Sequence, residues 1–287
     1  MRQTRPITVA LDLGAPLEGR SFDAVADALF VAGAVEVGDS TPRGLVASFP
    51  ARMTARQAVS RAVDTLSERG VEVVSARLLD SPTPDWSEHW RREFRPIQVG
   101  PLWVVPAWRS PPPGAELVLE LDPGLAFGTG AHATSAMCLE WLVARAARGP
   151  IQSFLDLGTG SGILALSALL IGVGRAVGAD IDPDAVSTAR ENAAHNGLSA
   201  ELELRGEDWL RAGETFELII ANLTTIPLLE EADRILSALG LRGTLVLSGI
   251  LEEELEEVAR AYVERGLTIV DVALRGGWAR IELVRPQ

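Results

Sequence analysis

The feature that most restricts the fold of this chain is the alternation of strand-like and helix-like patterns from residue 150 onward. The apolar runs at 154–157 and 176–180 have the pattern of strands, and helical periodicity follows each of them, at 163–171 and 183–196. The same order continues through strands at 202–204, 218–221, 244–248 and 267–272 and helices at 228–239 and 251–265. Such alternation is typical of an α/β fold with a doubly wound, mostly parallel sheet.

The end of the chain departs from this alternation. Gly276 and Gly277 separate two strand-like runs, 269–274 and 278–284, and a glycine pair between such runs is typical of a β-hairpin. We therefore predict a seven-stranded, mostly parallel sheet that ends in an antiparallel hairpin. That ending is less usual for a dehydrogenase, so it bears on the choice of cofactor.

Residues 1–80 have a different order of elements. Strand-like runs at 7–13, 34–37, 44–49 and 71–79 enclose two helical patterns, one beginning at Ser21 and one capped by Thr54. The order β-α-β-β-α-β predicts a small α+β domain of the ferredoxin-like type. No residue in this segment has a pattern typical of catalysis, so we assign the segment to recognition of a substrate, with a purely structural appendage as the alternative.

A turn-rich segment, Asp80 to Pro84, marks the end of this first domain. Trp86, Trp90 and Phe94 then recur at helical spacing, which indicates a short linker helix whose aromatic side chains are used in packing. The predicted organisation is therefore a substrate-recognition domain at 1–80, a linker helix at 81–100 and a cofactor-binding domain at 101–287.

Several kinds of chemistry are excluded by residue type. Cys138 is the only cysteine, which rules out an internal disulfide and a cysteine metal cluster, and the three histidines are too scattered for a metal site. All 26 basic residues are arginine. Without lysine, the chain has no amine for a Schiff base and cannot form a Walker-type phosphate loop.

Charge and hydropathy limit the partners and the location. The net charge of −13 disfavours nucleic acid and favours a basic protein or peptide as the partner. No apolar run approaches the ~18 residues of a membrane span, and the N-terminus lacks the apolar core of a signal peptide. We therefore expect a cytoplasmic protein that acts without a metal and without contact to a membrane.

The strongest local motif is the sequence Gly158-Thr-Gly160-Ser-Gly162, which follows a predicted strand and opens a predicted helix. Glycines let the backbone approach a ligand, and a helix N-terminus offers amide donors to an oxygen-rich group. Asp180 ends the next strand about 20 residues after the loop, where an acidic side chain meets the hydroxyls of a ribose. Together these features predict a nucleoside cofactor.

The spacing of the glycines favours one type of nucleoside. A dinucleotide fold uses G-x-G-x-x-G, whose third glycine allows packing over a pyrophosphate, whereas Ile163 occupies that position here. A cofactor without a pyrophosphate fits better, and S-adenosylmethionine is the leading candidate. Asp208, after the third strand, is a candidate acceptor for the adenine amine, with an ordinary acidic loop residue as the alternative.

Four motifs resemble those of one enzyme family. The stretch DPGLAFGTGAHATS from Asp122 to Ser135, LDLGTGSGILAL, ADIDPDAV and the Ala-Asn-Leu run around Asn222 are similar to the PrmA family, the methyltransferases of large-subunit ribosomal protein L11. The resemblance extends from about Asp85 to the C-terminus. DPGLAFGTG is its most specific part, because most class I methyltransferases lack it. The small first domain also has a counterpart in that family, where it binds the substrate protein.

The resemblance implies roles for individual residues in the cofactor site. Phe127 would cover the cofactor, Thr134 or Ser135 would offer a hydroxyl to its methionine end, and Asn222 would lie beside the methyl group. The full set of expected cofactor-binding residues is Phe127, Thr134, Ser135, Gly158, Gly160, Asp180, Ile181, Asp208 and Asn222. The family usually has two threonines where this chain has Thr134 and Ser135, and serine keeps the hydroxyl. The Thr-Thr-Ile-Pro sequence after Leu223 would line the acceptor channel, where family members vary.

Methyl transfer to an amine needs positioning more than acid–base help, because a sulfonium is a good leaving group. A lysine amine has a pKa of ~10.4 in water, and desolvation beside a sulfonium would lower that pKa. Asn222 can accept a hydrogen bond from the amine and is the expected catalytic residue, whereas we interpret His132 as orienting a loop. The favoured function is N-methylation of lysine or N-terminal amines of ribosomal protein L11. The alternatives are another acceptor, such as a lysine of an electron-transfer flavoprotein or a small molecule, and a binding module without catalysis.

Overall fold

The structure is a computed structural model that describes residues 7–15, 36–41, 44–49, 53–68, 70–79, 95–122, 130 and 132–286, together with the single positions 25, 29, 32 and 34. The chain divides into two compact units, Met1–Phe94 and Arg95–Gln287. The aromatic helix predicted at 85–94 lies outside the described residues. Residues 97–99, at the end of the predicted linker range, form a strand of the second unit.

The first unit contains an antiparallel sheet of four strands: β1 (Ile7–Leu13), β2 (Glu36–Thr41), β3 (Gly44–Phe49) and β4 (Val73–Leu79). The strand order β2-β3-β1-β4 places the first and third strands in the middle, as a split βαβ unit requires. The second strand begins two residues later and ends four residues later than the predicted strand at 34–37. Most of the helix predicted from Ser21 falls outside the described residues, although Val25 and Leu29 are helical and buried.

Helix α1 (Ala55–Glu68) covers one face of this sheet. It begins with the predicted cap, because the Gln57 amide donates to the Thr54 hydroxyl while the Thr54 amide donates to the Gln57 side chain. Ala58, Ala62 and Leu66 recur every four residues and are fully buried against the strands. The helical period in the sequence therefore identified the buried face.

The second unit begins with a three-stranded sheet of β5 (Ile97–Val99), β6 (Leu102–Pro106) and β7 (Leu117–Leu121), in that order. Helix α2 (Ala133–Ala146) follows and was not predicted. Its residues Met137, Cys138, Leu139 and Leu142 are all buried, in two different clusters. A helix that is buried on several sides lacks the one-sided apolar stripe by which sequence analysis recognises helices.

The main sheet has seven strands. The elements in chain order are β8 (Phe154–Leu157), α3 (Ile163–Leu170), β9 (Ala176–Ala179), α4 (Pro183–His195), β10 (Leu202–Arg205), β11 (Phe216–Asn222), α5 (Thr225–Glu230), α6 (Ala232–Ala238), β12 (Leu239–Leu251), α7 (Leu255–Glu264), β13 (Thr268–Arg275) and β14 (Trp278–Val284). The strand order in the sheet is β10-β9-β8-β11-β12-β14-β13. The strands from β10 to β12 in that order are parallel to one another, and β14 is antiparallel to both β12 and β13, which confirms the predicted fold.

Two elements differ in extent from the prediction. The helix expected at 228–239 is divided into α5 and α6 at Glu231, whose carboxylate accepts hydrogen bonds from Trp209 and Arg234. The strand expected at 244–248 is longer, because β12 pairs with β11 on one side and with β14 on the other. At both places there are contacts with residues distant in the sequence, from Trp209 to Glu231 and from β11 and β14 to β12.

The direction in which strands are added reverses between β8 and β11. The chain runs outward from β8 through β9 to β10, then returns to place β11 on the other side of β8. In such sheets, ligands bind in the crevice at the carboxyl ends of the strands beside this reversal. The predicted site residues Gly158, Asp180 and Asn222 follow or end β8, β9 and β11 at that edge.

The described part of the chain lacks two features. None of its helices is long and apolar enough to cross a membrane. It also holds no group of three or more His, Cys, Asp or Glu side chains arranged to bind a metal ion.

Candidate active site

The glycine loop after β8 has a backbone that only glycine adopts readily. Gly158, Gly160 and Gly162 have φ angles of +78°, +54° and +85°, in the left-handed region. The loop is held against β9, because the amides of Gly158 and Thr159 both donate to the carbonyl of Ala179, at 2.8 and 2.9 Å. A Cβ atom on Gly158 would overlap the side chain of Leu223, so the loop also lies close to the residue that follows β11.

Asp156 is a buried carboxylate beneath this loop, and the sequence analysis missed it. Its Oδ2 accepts hydrogen bonds from the Thr159 hydroxyl at 2.7 Å and from the Ala165 amide at 3.1 Å, which fixes the loop relative to α3. Its Oδ1 is buried and has no hydrogen-bond partner among the described residues. The available signal was an acidic residue within the otherwise apolar strand Phe154–Leu157.

Burial, together with the nearby charge of Asp180, raises the pKa of Asp156 from 3.8 to about 7, against the opposing effect of its two hydrogen bonds. Between these two pH values the unfolded chain gives up this proton while the folded protein retains it. The free energy of unfolding should therefore fall as the pH rises from about 4 to about 7, by roughly 1 kcal/mol per unit, and become level above that range.

The Asp156→Asn variant tests this pH dependence, because an amide fills the same space and does not titrate. Urea denaturation at pH 5 and pH 7 should show that the wild-type protein loses about 2 kcal/mol relative to the variant over that interval. Parallel stability profiles for the two proteins would show that the carboxyl group is ionised throughout this range.

Asp180 follows β9 and contacts the glycine loop directly. Its Oδ2 accepts a hydrogen bond from the Gly160 amide at 3.0 Å, and its Oδ1 accepts one from the Asp182 amide at 2.9 Å. A carboxylate oxygen can accept two hydrogen bonds, which is the property that suits a carboxylate to the hydroxyls of a ribose. The neighbouring side chain of Ile181 is 77% exposed, which gives an apolar surface beside this carboxylate.

The N-terminus of α2 brings two buried hydroxyls to the same edge of the sheet. His132 caps the helix: its Nδ1 accepts a hydrogen bond from the Thr134 amide and lies 2.7 Å from the Thr134 hydroxyl oxygen. The imidazole also packs edge-on against Trp278, with the ring centres 5.1 Å apart. These contacts fit the interpretation of His132 as a residue that orients the backbone rather than a base.

Asn222, at the end of β11, lies next to this helix. Its Nδ2 donates to the Ser135 hydroxyl at 3.4 Å, and its Oδ1 is buried with no partner among the described residues. Asn222 Oδ1 is thus an acceptor atom without a donor among the described residues, at the end of a strand next to the one that carries Asp156. Such an atom fits a group that brings N–H donors, as the acceptor amine of a methyl transfer does.

One predicted site residue is exposed in a loop, and another is not among the described residues. Asp208 is exposed in the loop after β10, which is held in place because Arg205 donates to the carbonyl of Trp209 at 2.7 Å. Arg205 is itself fixed by Glu214, and this pairing lowers the pKa of Glu214 to about 2. Phe127 lies outside the described residues.

Comparison with known proteins identifies one family. Residues 33–286 match the family model described as ribosomal protein L11 methyltransferase (PrmA). A ribosomal protein L11 methyltransferase of Azotobacter vinelandii is 43% identical over 220 residues, which cover 76% of this chain and 74% of that protein. The protein of the same name from Myxococcus xanthus is 36% identical over 242 residues, or 84% and 81% of the two chains.

A solved structure agrees with these matches. The crystal structure of a ribosomal protein L11 methylase from Lactobacillus delbrueckii subsp. bulgaricus is 31% identical to this chain and superposes with a TM-score of 0.61. The superposition covers 67% of this chain and the whole of that one. The chain therefore belongs to the ribosomal protein L11 methyltransferase family, a family of S-adenosylmethionine-dependent protein methyltransferases, as its motifs indicated.

Proposed function

We propose that this protein transfers methyl groups from S-adenosylmethionine to lysine or N-terminal amines of ribosomal protein L11. The observation that carries the proposal is the buried Oδ1 of Asn222, which is unpaired among the described residues and lies at the crevice beside the glycine loop. An amine that enters the crevice would satisfy this atom by donating an N–H, and it would lose its hydration shell at the same time. The names of the relatives favour L11 over an electron-transfer flavoprotein or a small molecule as the acceptor.

Each part of the site has a defined task in this reaction. S-adenosylmethionine, when bound, supplies a methyl group attached to a sulfonium sulfur, and this sulfur leaves readily as a neutral thioether. Asp180 and the glycine loop would hold the ribose, with Ile181 against the adenine and Asp208 at its amine. Thr134 and Ser135 would offer hydroxyls to the methionine end. Asn222 would orient the lone pair of the neutral amine toward the methyl group, so catalysis comes from positioning.

The acceptor side is formed by the residues that follow Asn222. Thr225 is fixed because its hydroxyl donates to Glu254 at 2.6 Å, while the side chain of Ile226 is 68% exposed. An exposed apolar side chain at this position would contact the acceptor chain. The first unit would bind another part of L11. The net charge of −13 favours a basic partner over nucleic acid. Such a role places the protein in the cytoplasm.

Mass spectrometry of ribosomal protein L11 tests this function. L11 from cells that lack the gene should lose the methyl groups that L11 carries when the gene is present, and the purified enzyme should restore them with S-adenosylmethionine. Unchanged methylation of L11 in cells that lack the gene would refute L11 as the acceptor.

Deletion of residues 1–80 should abolish methylation of L11 while cofactor affinity is retained. Full activity of the enzyme without these residues would refute the docking role of the first unit.

The ribose contact gives a separate prediction. Asp180→Ala should weaken binding of S-adenosylmethionine by about 1–3 kcal/mol, which is the contribution of a hydrogen-bonded charged group. Titration calorimetry measures this change directly. Asp182→Ala is a matched control, since Asp182 is a carboxylate two residues away that caps α4 through the Asp184 amide. Equal affinity losses in both variants would show that the effect comes from α4 and not from the ribose.

A further inference from the structure

Helix α4 and the residue that follows it carry two asparagine side chains that hydrogen-bond to the backbone of β7 and the residue after it. Asn196 accepts from the Glu120 amide at 2.9 Å and donates to the Glu120 carbonyl at 2.6 Å. Asn192 accepts from the Asp122 amide and donates to the Asp122 carbonyl, both at 2.9 Å. The two side chains therefore pair with the chain as a neighbouring strand would.

The spacings of helix and strand explain why this arrangement is possible. Residues four apart on a helix are separated by about 6 Å along its axis, and residues two apart on a strand by about 6.6 Å. β7 pairs with β6 on its other side and is the edge strand of its sheet. Its outward amides and carbonyls, at residues 120 and 122, would otherwise lack a partner strand. The asparagine pair satisfies them and fixes the register of β7 against α4.

Asn192 makes one contact that Asn196 does not. Its Nδ2 also donates to the carbonyl of Ser161, in the glycine loop, at 2.9 Å. The Asn192 side chain is only 3% exposed, and it uses both N–H groups and its oxygen in these three bonds. One side chain thus joins the glycine loop to Asp122, the residue at which the DPGLAFGTG sequence begins.

The contact between α4 and the glycine loop is close at a second point. A Cβ atom on Gly162 would lie 3.2 Å from the Cβ of Ala189, one turn before Asn192 on the same helix. The start of α4 is also tied to the site, because the Asp182 amide donates to Asp180. A single helix therefore contacts the loop, the ribose carboxylate and the start of the DPGLAFGTG sequence.

We propose that Asn192 is a positioning residue of the cofactor site, which sets the distance between the glycine loop and Asp122. This inference rests on the proposed function, since it takes S-adenosylmethionine to be the ligand of the loop. Loss of the Asn192 amide would leave the carbonyls of Ser161 and Asp122 without this donor and allow the loop to separate from Asp122. Asn196 holds the same segment but not the loop, so only Asn192 should affect the cofactor.

The experiment compares two alanine variants in the full-length protein. Asn192→Ala and Asn196→Ala each remove two hydrogen bonds to the same backbone segment. Any change in cofactor affinity that arises only from the loss of these bonds should therefore be the same in both variants. Equilibrium dialysis with labelled S-adenosylmethionine should give a Kd raised about 10-fold or more for Asn192→Ala and within about 2-fold of wild type for Asn196→Ala. In methylation assays, Asn192→Ala should raise the KM for S-adenosylmethionine by a similar factor and leave kcat within about 2-fold.

Asn192→Asp provides a second variant of the same size. It keeps the acceptor for the Asp122 amide and loses both donor bonds, so its Kd should also rise about 10-fold or more. Wild-type affinity in Asn192→Ala, or equal shifts in the Asn192 and Asn196 variants, would overturn the proposal. Failure of both Asn192 variants to fold, while Asn196→Ala folds, would overturn it as well, because Asn192 would then serve global folding.

The outcomes also separate this proposal from the proposed function. A wild-type protein that binds no S-adenosylmethionine would refute the proposed function itself. A wild-type protein that binds S-adenosylmethionine but leaves L11 unmodified would refute only the acceptor, and the dialysis result would still decide the role of Asn192.

Discussion

Replacing Gly249 with alanine is expected to lower the free energy of unfolding by about 4 kcal/mol. Gly249 lies in β12, at a break in its register with β14, and has a φ of +79°. A Cβ atom there would lie 2.5 Å from the carbonyl oxygen of Leu223 and 2.8 Å from its carbonyl carbon. Backbone atoms cannot rotate away as a side chain can, so β11 and β12 would have to separate at this end. The separation would break the hydrogen bond from the Leu223 amide to the Ser248 carbonyl, 3.0 Å long.

The expected loss has two parts, which a matched variant separates. The left-handed backbone costs a residue with a Cβ about 1–2 kcal/mol, and the steric overlap adds about 1–3 kcal/mol. Gly277 has a φ of +81°, and a Cβ atom added to it would meet no described atom within 4 Å, so Gly277→Ala should show the first part alone. Urea denaturation of both variants measures the difference. Equal destabilisation would show that the end of β11 moves freely.

Replacing Asn222 with alanine is expected to lower kcat for methylation about 100-fold. The variant removes the buried acceptor Oδ1 that would orient the amine, and a small misplacement of reacting groups has an effect of about this size. Affinity for S-adenosylmethionine should change less than about 3-fold, because the hydrogen bond from Asn222 to Ser135 is long, at 3.4 Å. Initial rates with saturating L11 and S-adenosylmethionine, together with dialysis, measure both quantities.

Asn222→Asp tests whether an acceptor oxygen at this position is sufficient. Aspartate has the same shape and keeps an acceptor oxygen, so it should recover a substantial part of the lost rate. A kcat for Asn222→Ala close to that of the wild-type protein would remove Asn222 from the mechanism. Equal rates for the alanine and aspartate variants would contradict the acceptor role and assign the effect to the NH2 group of the amide, which aspartate lacks.

The pattern of apolar residues and glycines was sufficient to predict the fold of the second unit from residue 150 onward. Apolar runs and glycine positions identified every strand of the main sheet and the terminal hairpin. The same local signals located the glycine loop and Asp180 at the ends of β8 and β9, whereas Asn222, at the end of β11, was indicated by the resemblance to a known family. Helix α2 was missed because it is buried on more than one side. The division of the helix expected at 228–239 was also missed, and Glu231, at that division, accepts a hydrogen bond from Trp209, which lies 22 residues earlier in the sequence.

The sequence by itself determined what depends on short-range geometry: the period of each element, the glycines that a tight loop requires and the acidic residue at the end of the second strand. Only the tertiary structure decided which polar atoms of the described residues are left unpaired and which distant segments are joined. The unpaired oxygens of Asp156 and Asn222, and the bonds of Asn192 to Asp122 and Ser161, belong to this second group. The physical reason is that a hydrogen bond depends on where the backbone places two groups in space, and groups 31 or 70 residues apart leave no periodic trace in the sequence.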